Sequence, residues 1–85
     1  MKLFASSRYR RELTKLLQKR ALDERRLRKT LYLLLENPVR PSVRLHKLSG
    51  SQNYSVSVDM RIRIIIHIEH NIIYLLRIGT HEEVY

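Results

Sequence analysis

Apolar residues recur with helical spacing in the N-terminal half of the chain. Residues 2–5 form a short alternating segment that predicts an opening strand. Ser6 or Ser7 can then cap a first helix, whose apolar positions form one face: Tyr9, Leu13, Leu16 and Leu17. The spacing therefore predicts a strand followed directly by an amphipathic helix.

A second helix is predicted behind Asp23, a residue type that caps helices well. Leu22 precedes this cap and can pack on Leu27 as a hydrophobic staple. The helix must end by Asn37, because Pro38 disfavours helical geometry in the residue before it, and Pro41 then stiffens a short connector. The apolar positions of this helix repeat the spacing of the first, so the two helices should pack as a hairpin with one shared apolar side: Leu27, Leu31, Leu34 and Leu35.

From Val43 onward the apolar period shortens to about two residues, which is typical of strands. Ser49 to Asn53 forms a turn, and His70-Asn71 a two-residue hairpin loop, since Asn tolerates positive φ. Both connections favour antiparallel pairing. Four strands are predicted, over residues 43–48, 54–59, 61–69 and 72–78.

A two-residue loop at His70-Asn71 would fix which side chains share a face of the sheet. The face covered by the helices should then hold Ile62, Ile64, Ile66, Ile68, Ile73 and Leu75. The opposite face should hold Arg63, Ile65, His67, Tyr74 and Ile78. No helix is expected after the last strand. The prediction is an α+β fold in which an N-terminal helical hairpin packs on a small, mainly antiparallel sheet.

The composition is that of a single small globular domain covering residues 1–85. Hydrophobic residues make up 44% of the chain, with two glycines and two prolines, which excludes a disordered or collagen-like protein. There is no cysteine, so disulfides and thiolate metal sites are excluded and a cytoplasmic location is expected. The longest runs of aliphatic residues, Leu33 to Leu35 and Ile64 to Ile66, are too short for a membrane span, and the N-terminus lacks the apolar stretch of a signal peptide.

The charge is strongly positive and unevenly distributed. The formal net charge is +9, which suggests nucleic acid or an acidic protein as a partner. Residues 1–47 carry fourteen Lys and Arg against four Asp and Glu, net +10, whereas residues 48–85 carry three against four, net −1. The basic residues of the helices are either a solvated surface or a site for the RNA backbone, and this excess favours RNA. The candidates on the first helix are Arg10, Arg11, Lys15 and Lys19.

Two histidines distant in sequence are candidates for acid–base chemistry. Cleavage of RNA without a metal requires activation of the 2′-hydroxyl, neutralisation of the phosphate and protonation of the 5′-oxygen, which His and Arg can supply. His46 follows Arg44 at strand spacing, so both should lie on one face, and His81 lies just after the last strand. Either histidine alone could be a surface residue, but together they could meet at one end of the sheet.

The other two histidines do not form a metal site. His67 and His70 are three residues apart along a strand and hairpin, so they should point to opposite faces. Arg63 in an isoleucine-rich strand must either be paired or face a groove. The alternatives are an RNA-facing cation and a buried salt bridge to Glu82 or Glu83.

The order of these motifs resembles the RelE/ParE toxin superfamily, and most closely its YafQ-like messenger RNA interferases. The resemblance covers essentially the whole chain, including the two basic helices and their exit at Asn37-Pro38. It is carried by the runs RLHKLSG at 44–50, YSVSV at 54–58, RI at 63–64 and IGTHEEVY at 78–85.

The resemblance implies a five-stranded RelE-like sheet, ribosome-dependent cleavage of messenger RNA, no cofactor and no metal, and inhibition by a co-encoded antitoxin. The positive charge of residues 1–47 predicts that this antitoxin is acidic or carries an acidic segment. It assigns proton transfer to His46 and His81, and further catalytic positions to Arg63 and Tyr85. Basic residues near these positions would contact RNA: Arg44, Lys47 and Arg61. The sequence departs from the family where a histidine and an aspartate are expected, with Ser57 and Arg61 instead; Asp59 could substitute for the aspartate.

Two other classes of function remain open at this point. A ParE-like toxin would inhibit DNA gyrase by binding and would not need the two imidazoles. A non-catalytic RNA-binding or partner-binding module would need only the positive charge, but it would usually carry exposed aromatic residues among the basic ones.

Overall fold

The computed structural model describes residues 1–39 and 43–85. Two helices cover one face of a five-stranded sheet, and a third, short helix follows the last strand. No helix in the described ranges is long and apolar enough to cross a membrane. The predicted connector at Pro41 lies outside the described residues. In chain order the elements are β1 (Lys2–Ala5), α1 (Ser7–Gln18), α2 (Glu24–Glu36), β2 (His46–Lys47), β3 (Tyr54–Ser57), β4 (Ile62–Glu69), β5 (Ile72–Thr80) and α3 (His81–Val84).

The strands lie in the order β1-β5-β4-β3-β2. β1 runs parallel to β5, and every other neighbouring pair is antiparallel. The sheet is mainly antiparallel, with the helical hairpin on one side. The α+β class predicted from the sequence is therefore confirmed.

Side-chain caps begin both long helices at the predicted residues. The Ser6 hydroxyl accepts a hydrogen bond from the backbone N–H of Tyr9, and the Asp23 carboxylate accepts from the N–H groups of Arg25 and Arg26. These caps satisfy backbone donors that have no partner inside the helix. Each helix therefore starts where its capping residue stands.

The isoleucines of β4 divide the sheet into two faces. Ile64, Ile66 and Ile73 are fully buried and belong to the same core cluster as Leu34 of α2. His70 and Asn71 have φ values of 50° and 65°, as a two-residue hairpin loop requires. This loop sets the predicted register, and the predicted core face is confirmed.

A β-bulge in β5 changes one side-chain assignment. Ile66 pairs with Leu75 but Ile65 pairs with Arg77, so Leu76 is an extra residue. Past the bulge every side chain of β5 changes face, and Ile78 lies in the core opposite Ile64. The predicted position of Ile78 on the opposite face was therefore wrong.

Other element boundaries also differ from the prediction, and β5 extends beyond residue 78 to Thr80. β2 contains only His46 and Lys47, because Arg44 has a left-handed backbone with φ of 56° that is incompatible with a strand. β3 stops at Ser57, where Asp59 Oδ1 accepts hydrogen bonds from two backbone N–H groups and forms a turn. A short helix, α3, follows β5, although none was expected there.

Glu12 of α1 covers the part of β5 that β1 leaves unpaired. β1 pairs with β5 only as far as Leu75. Beyond that point Glu12 accepts hydrogen bonds from the backbone N–H of Ile78, at 3.2 Å, and from the guanidinium of Arg77, at 2.7 Å. An open sheet edge is a template for pairing with another chain, and α1 closes this stretch of it.

The buried phenol of Tyr9 makes stability sensitive to alkaline pH. Tyr9 is 3% exposed and its hydroxyl has no hydrogen-bond partner among the described residues. Burial raises its pKa from 10.0 to about 12. The folded state therefore keeps the proton that the unfolded chain releases, so this stabilisation is complete below pH 10 and is lost as the pH rises to about 12.

We expect Tyr9→Phe to remove this loss of stability between pH 10 and about 12. The free energy of unfolding of the variant should then fall by on the order of 2–3 kcal/mol less than that of the parent across this range. At neutral pH the variant should be at least as stable as the parent, since it removes a buried hydroxyl without a partner. Urea unfolding at several pH values measures both effects. Parallel pH profiles for parent and variant would contradict the assignment.

Candidate functional site

The face of the sheet opposite α1 and α2, called the outer face below, carries a row of polar side chains. Directly paired residues of neighbouring strands point to the same face. His46 of β2 pairs with Ser55 of β3, and Ser57 of β3 pairs with Arg63 of β4. The register therefore places these four residues on the outer face, in two adjacent pairs.

The C-terminal residues bring the second histidine to the same place. The Tyr85 hydroxyl donates a hydrogen bond to the Ser55 hydroxyl, and the Tyr85 ring meets the His81 ring edge-on with a centroid distance of 4.1 Å. Ser55 is also the cross-strand neighbour of His46, so Tyr85 binds the residue that stands beside His46 in the sheet. Both predicted histidines and Tyr85 thus lie together on the outer face.

α3 is held against the sheet by a glycine and a capping box. A Cβ atom on Gly79 would lie 3.1 Å from Glu83 Oε1 and 3.2 Å from Val84 Cγ1, so a side chain here would push these residues of α3 away from the sheet. The Thr80 hydroxyl accepts from the Glu83 N–H, while the Glu83 carboxylate accepts from the Thr80 N–H. These contacts position His81 at the start of α3.

The same cap lowers the pKa of Glu83 below its ordinary value of 4.5. The largest cause is the hydrogen bond from the Thr80 backbone, followed by that from its side chain, and the charges of Lys19 and Arg77 add to it. The carboxylate therefore supports α3 fully above pH 4.5, and this support is lost as the pH falls through the lower, folded-state value.

The Arg63 side chain makes a hydrogen bond to a serine and no ion pair with a described carboxylate. Its guanidinium donates to the Ser57 hydroxyl, while its Nε is buried without a hydrogen-bond partner. Within residues 1–39 and 43–85, no carboxylate lies within ion-pair distance of Arg63. The alternative of a salt bridge to Glu82 or Glu83 was therefore wrong, and the guanidinium keeps charge available for an anion.

The remaining predicted RNA-binding residues are spread over the molecule. Arg44 does not share a strand face with His46 as predicted, because its left-handed backbone places it outside β2. Lys47 and Arg61 are exposed beside the site, in β2 and in the β3–β4 turn. Arg10, Arg11 and Lys15 are exposed on α1, which covers the other face of the sheet. Lys19, the C-cap of α1, is also exposed, and it lies close enough to α3 for its charge to act on Glu83.

Neither of the other histidines joins the site. His67 lies at the other end of the outer face. Its Nε2 is 3.2 Å from Glu69 Oε2, and its ring centroid is 6.0 Å from that of Tyr74. His70 is exposed in the hairpin loop. Across the described part of the chain, no group of three or more His, Asp or Glu side chains could hold a metal ion.

The sequence analysis missed the Ser55 hydroxyl and the capping box of α3. Ser55 is 1% exposed and links β3 to Tyr85, but its importance depends on which residue it pairs with, and that is a matter of register. Thr80 and Glu83 do carry a visible signal, since a Thr followed three residues later by a Glu is the capping-box pattern. That signal also predicts α3.

The Ser55–Tyr85 bond can be tested by a double-mutant cycle. Tyr85→Phe should cost about 1–3 kcal/mol, because it leaves the buried Ser55 hydroxyl without a partner. Ser55→Ala should cost less, since the half-exposed Tyr85 hydroxyl can bind water. The double variant should be more stable than the sum of the two losses predicts, measured by urea unfolding. Strict additivity would show that the two hydroxyls are not coupled.

Neither a protein-family model nor a curated protein matches this sequence. Solved structures do match it along its length. A copper-bound point mutant of a toxin from Helicobacter pylori superposes with a TM-score of 0.87 at 22% identity, covering 100% of this chain and 99% of that one. YafQ from Escherichia coli strain BL21(DE3) superposes with a TM-score of 0.81 at 23% identity, covering 98% of this chain and 96% of YafQ. The structure of the Escherichia coli DinJ–YafQ toxin–antitoxin complex matches with a TM-score of 0.81 at 28% identity, covering 98% of this chain and 94% of the matched chain. With two helices on a five-stranded, mostly antiparallel sheet that matches these toxins along its length, the chain has the RelE/YafQ-like toxin fold.

Proposed function

We propose that this protein is the toxin of a type II toxin–antitoxin system and that it cleaves messenger RNA on the ribosome. The observation that carries the proposal is the placement of both histidines on the outer face: His46 pairs with Ser55 in the sheet, and Tyr85, which contacts His81, binds Ser55. The unpaired charge of Arg63 lies on the same face. The similarity to YafQ, which was crystallised with its antitoxin DinJ, supports the same biological role.

The proposed reaction is an internal transfer of the phosphodiester. One imidazole takes the proton from the 2′-hydroxyl, and the 2′-oxygen then attacks the adjacent phosphorus. The bond from phosphorus to the 5′-oxygen breaks, and the other imidazole donates a proton to that oxygen. The products are a 2′,3′-cyclic phosphate and a free 5′-hydroxyl. Either histidine can take either role.

Arg63 would neutralise the charge that builds up on the phosphate oxygens. A guanidinium presents several N–H donors in one plane, which suits a phosphate, and one of them is already fixed by Ser57. Ser57 stands where the resemblance leads us to expect a histidine. In this chain that position holds the arginine instead of moving a proton. Asp59 is engaged in its turn, so it would not replace the missing aspartate.

Tyr85 would act mainly by holding His81. Its hydroxyl is anchored on Ser55 and its ring lies against the imidazole, which restricts how far that imidazole can turn. Preorganised catalytic groups react faster because they need not be oriented during the reaction. Tyr85 is thus a positioning residue for His81 in this proposal.

The partner would be an antitoxin with an acidic segment. The basic residues lie mostly in residues 1–47, and an oppositely charged partner would be both steered to this half and held by it. Such a segment would block the site either by covering the outer face or by neutralising the charges that attract RNA.

Primer extension on cellular messenger RNA tests the nuclease directly. Induction of the protein should arrest growth and create new 5′ ends within translated regions. Intact transcripts combined with a defect in DNA supercoiling would instead support a gyrase inhibitor. Arrest with intact transcripts and normal supercoiling would support a toxin that acts by binding alone.

His81→Ala should lower messenger RNA cleavage by at least about a hundredfold and remove toxicity, because one proton-transfer group is lost. The matched control is His70→Asn, which changes an exposed histidine of the hairpin loop to a residue that tolerates its positive φ. This control should remain toxic. Cleavage is measured by primer extension and toxicity by colony counts after induction. Unchanged toxicity of His81→Ala would remove this histidine from the site.

A further inference from the structure

We propose that a basic groove beside the histidine site binds the phosphodiester backbone of the substrate RNA; this inference rests on the function proposed above. The groove, called the α2 groove here, lies between α2 and the β3–β4 hairpin and encloses about 660 Å³. Its polar and charged walls include Arg26, Lys29, Arg44, Ser57, Asp59 and Arg63.

The charges of the α2 groove are not balanced within the protein. Four cations line it, and among the lining residues that the structure describes the only acid is Asp59, which accepts two backbone hydrogen bonds in its turn. Arg26 does contact Asp23, but at 3.7 Å and with side chains 60% and 49% exposed, which makes a weak ion pair. Four like charges around one opening repel one another unless an anion lies between them.

The backbone of Arg44 is held in an unfavourable conformation at this groove. Its φ of 56° is in the left-handed region, which costs a residue with a Cβ atom about 1–2 kcal/mol. That conformation takes Arg44 out of β2 and into the wall of the groove. Backbone strain of this kind is concentrated at active sites and ligand-binding sites.

The α2 groove is continuous with the proposed reaction centre. Ser57 and Arg63 line the groove and also belong to the outer face that carries the histidines. Arg63 binds Ser57 and no carboxylate among the described residues, so its positive charge at this junction is not neutralised. An RNA strand with its reacting phosphate at Arg63 would therefore pass its neighbouring phosphates along Arg44, Arg26 and Lys29.

The lining of the groove also points to the backbone of the RNA as the part that is bound. No aromatic ring is among its described lining residues, so there is no surface on which a base could stack. Guanidinium and ammonium groups contact phosphates regardless of base. The α2 groove should thus add affinity without adding sequence preference.

The test measures RNA binding without cleavage, in the His81→Ala background. The probe is a short fluorescein-labelled single-stranded RNA, and anisotropy gives its affinity at several salt concentrations. The groove variant is Arg26→Ala with Lys29→Ala. The matched control is Arg25→Ala with Arg28→Ala, which removes the same charge from the same helix at two exposed positions outside the groove.

The groove variant should bind RNA at least about tenfold more weakly, and the slope of log affinity against log salt should become shallower by about 1.4 for two lost phosphate contacts. The control should lose less than about threefold. Arg44→Gly, which removes the guanidinium but accepts the left-handed backbone, should resemble the groove variant. Thermal melting followed by circular dichroism establishes that all variants are folded.

Equal losses in the groove variant and in the control would overturn the proposal, because the effect would then be one of overall charge. It would also be overturned if the groove variant kept full RNA affinity but lost affinity for poly-L-glutamate, which would make the groove a site for an acidic protein. The binding measurements do not depend on the result of the primer-extension experiment, which tests cleavage. Groove-dependent binding with intact cellular transcripts would contradict the nuclease and leave the groove in place.

Discussion

The pairing of β4 with its two neighbours is the constraint on which the rest of the molecule depends. Side chains alternate along a strand, so a shift of one residue would exchange the two faces of β4. Ile62, Ile64 and Ile66 would then point to solvent, and Arg63 would enter an apolar core without a partner. Burying these isoleucines stabilises the native register by about 1.5–3 kcal/mol for each side chain. The same packing that builds the core therefore also fixes where the outer-face residues stand.

The proposed chemistry occupies positions that the core does not need. α1 and α2 cover one face only, and the other is left for Ser55, Ser57, Arg63 and α3. The bulge at Leu76 returns Ile78 to the core and lets the strand continue to Thr80, where α3 begins. An irregularity in one strand thus delivers His81 to a face that already holds His46.

Periodicity was enough to predict the two long helices, their caps, the core face and the hairpin loop at His70-Asn71, because each of these follows from neighbouring residues. The bulge could not be predicted, since Leu75 and Leu76 are both apolar and either could face the core. The short β2 depends on the backbone of Arg44, which the sequence pattern does not reveal. His46 and His81 could be proposed as partners from their residue type. The link between them through Ser55 and Tyr85 depends on register and on α3, which involve residues far apart in the chain.

The position of β1 has a consequence for how the protein folds during synthesis. β1 pairs with β5, and the Ser6 hydroxyl donates to the Leu76 carbonyl, a contact that spans 70 residues. Contacts of such long range form late, because a long segment must first be closed into a loop. Translation must therefore deliver β5 before the first strand can pair with it. While the protein is being made, the backbone donors and acceptors of β1 thus remain without their sheet partners until β5 has left the exit tunnel.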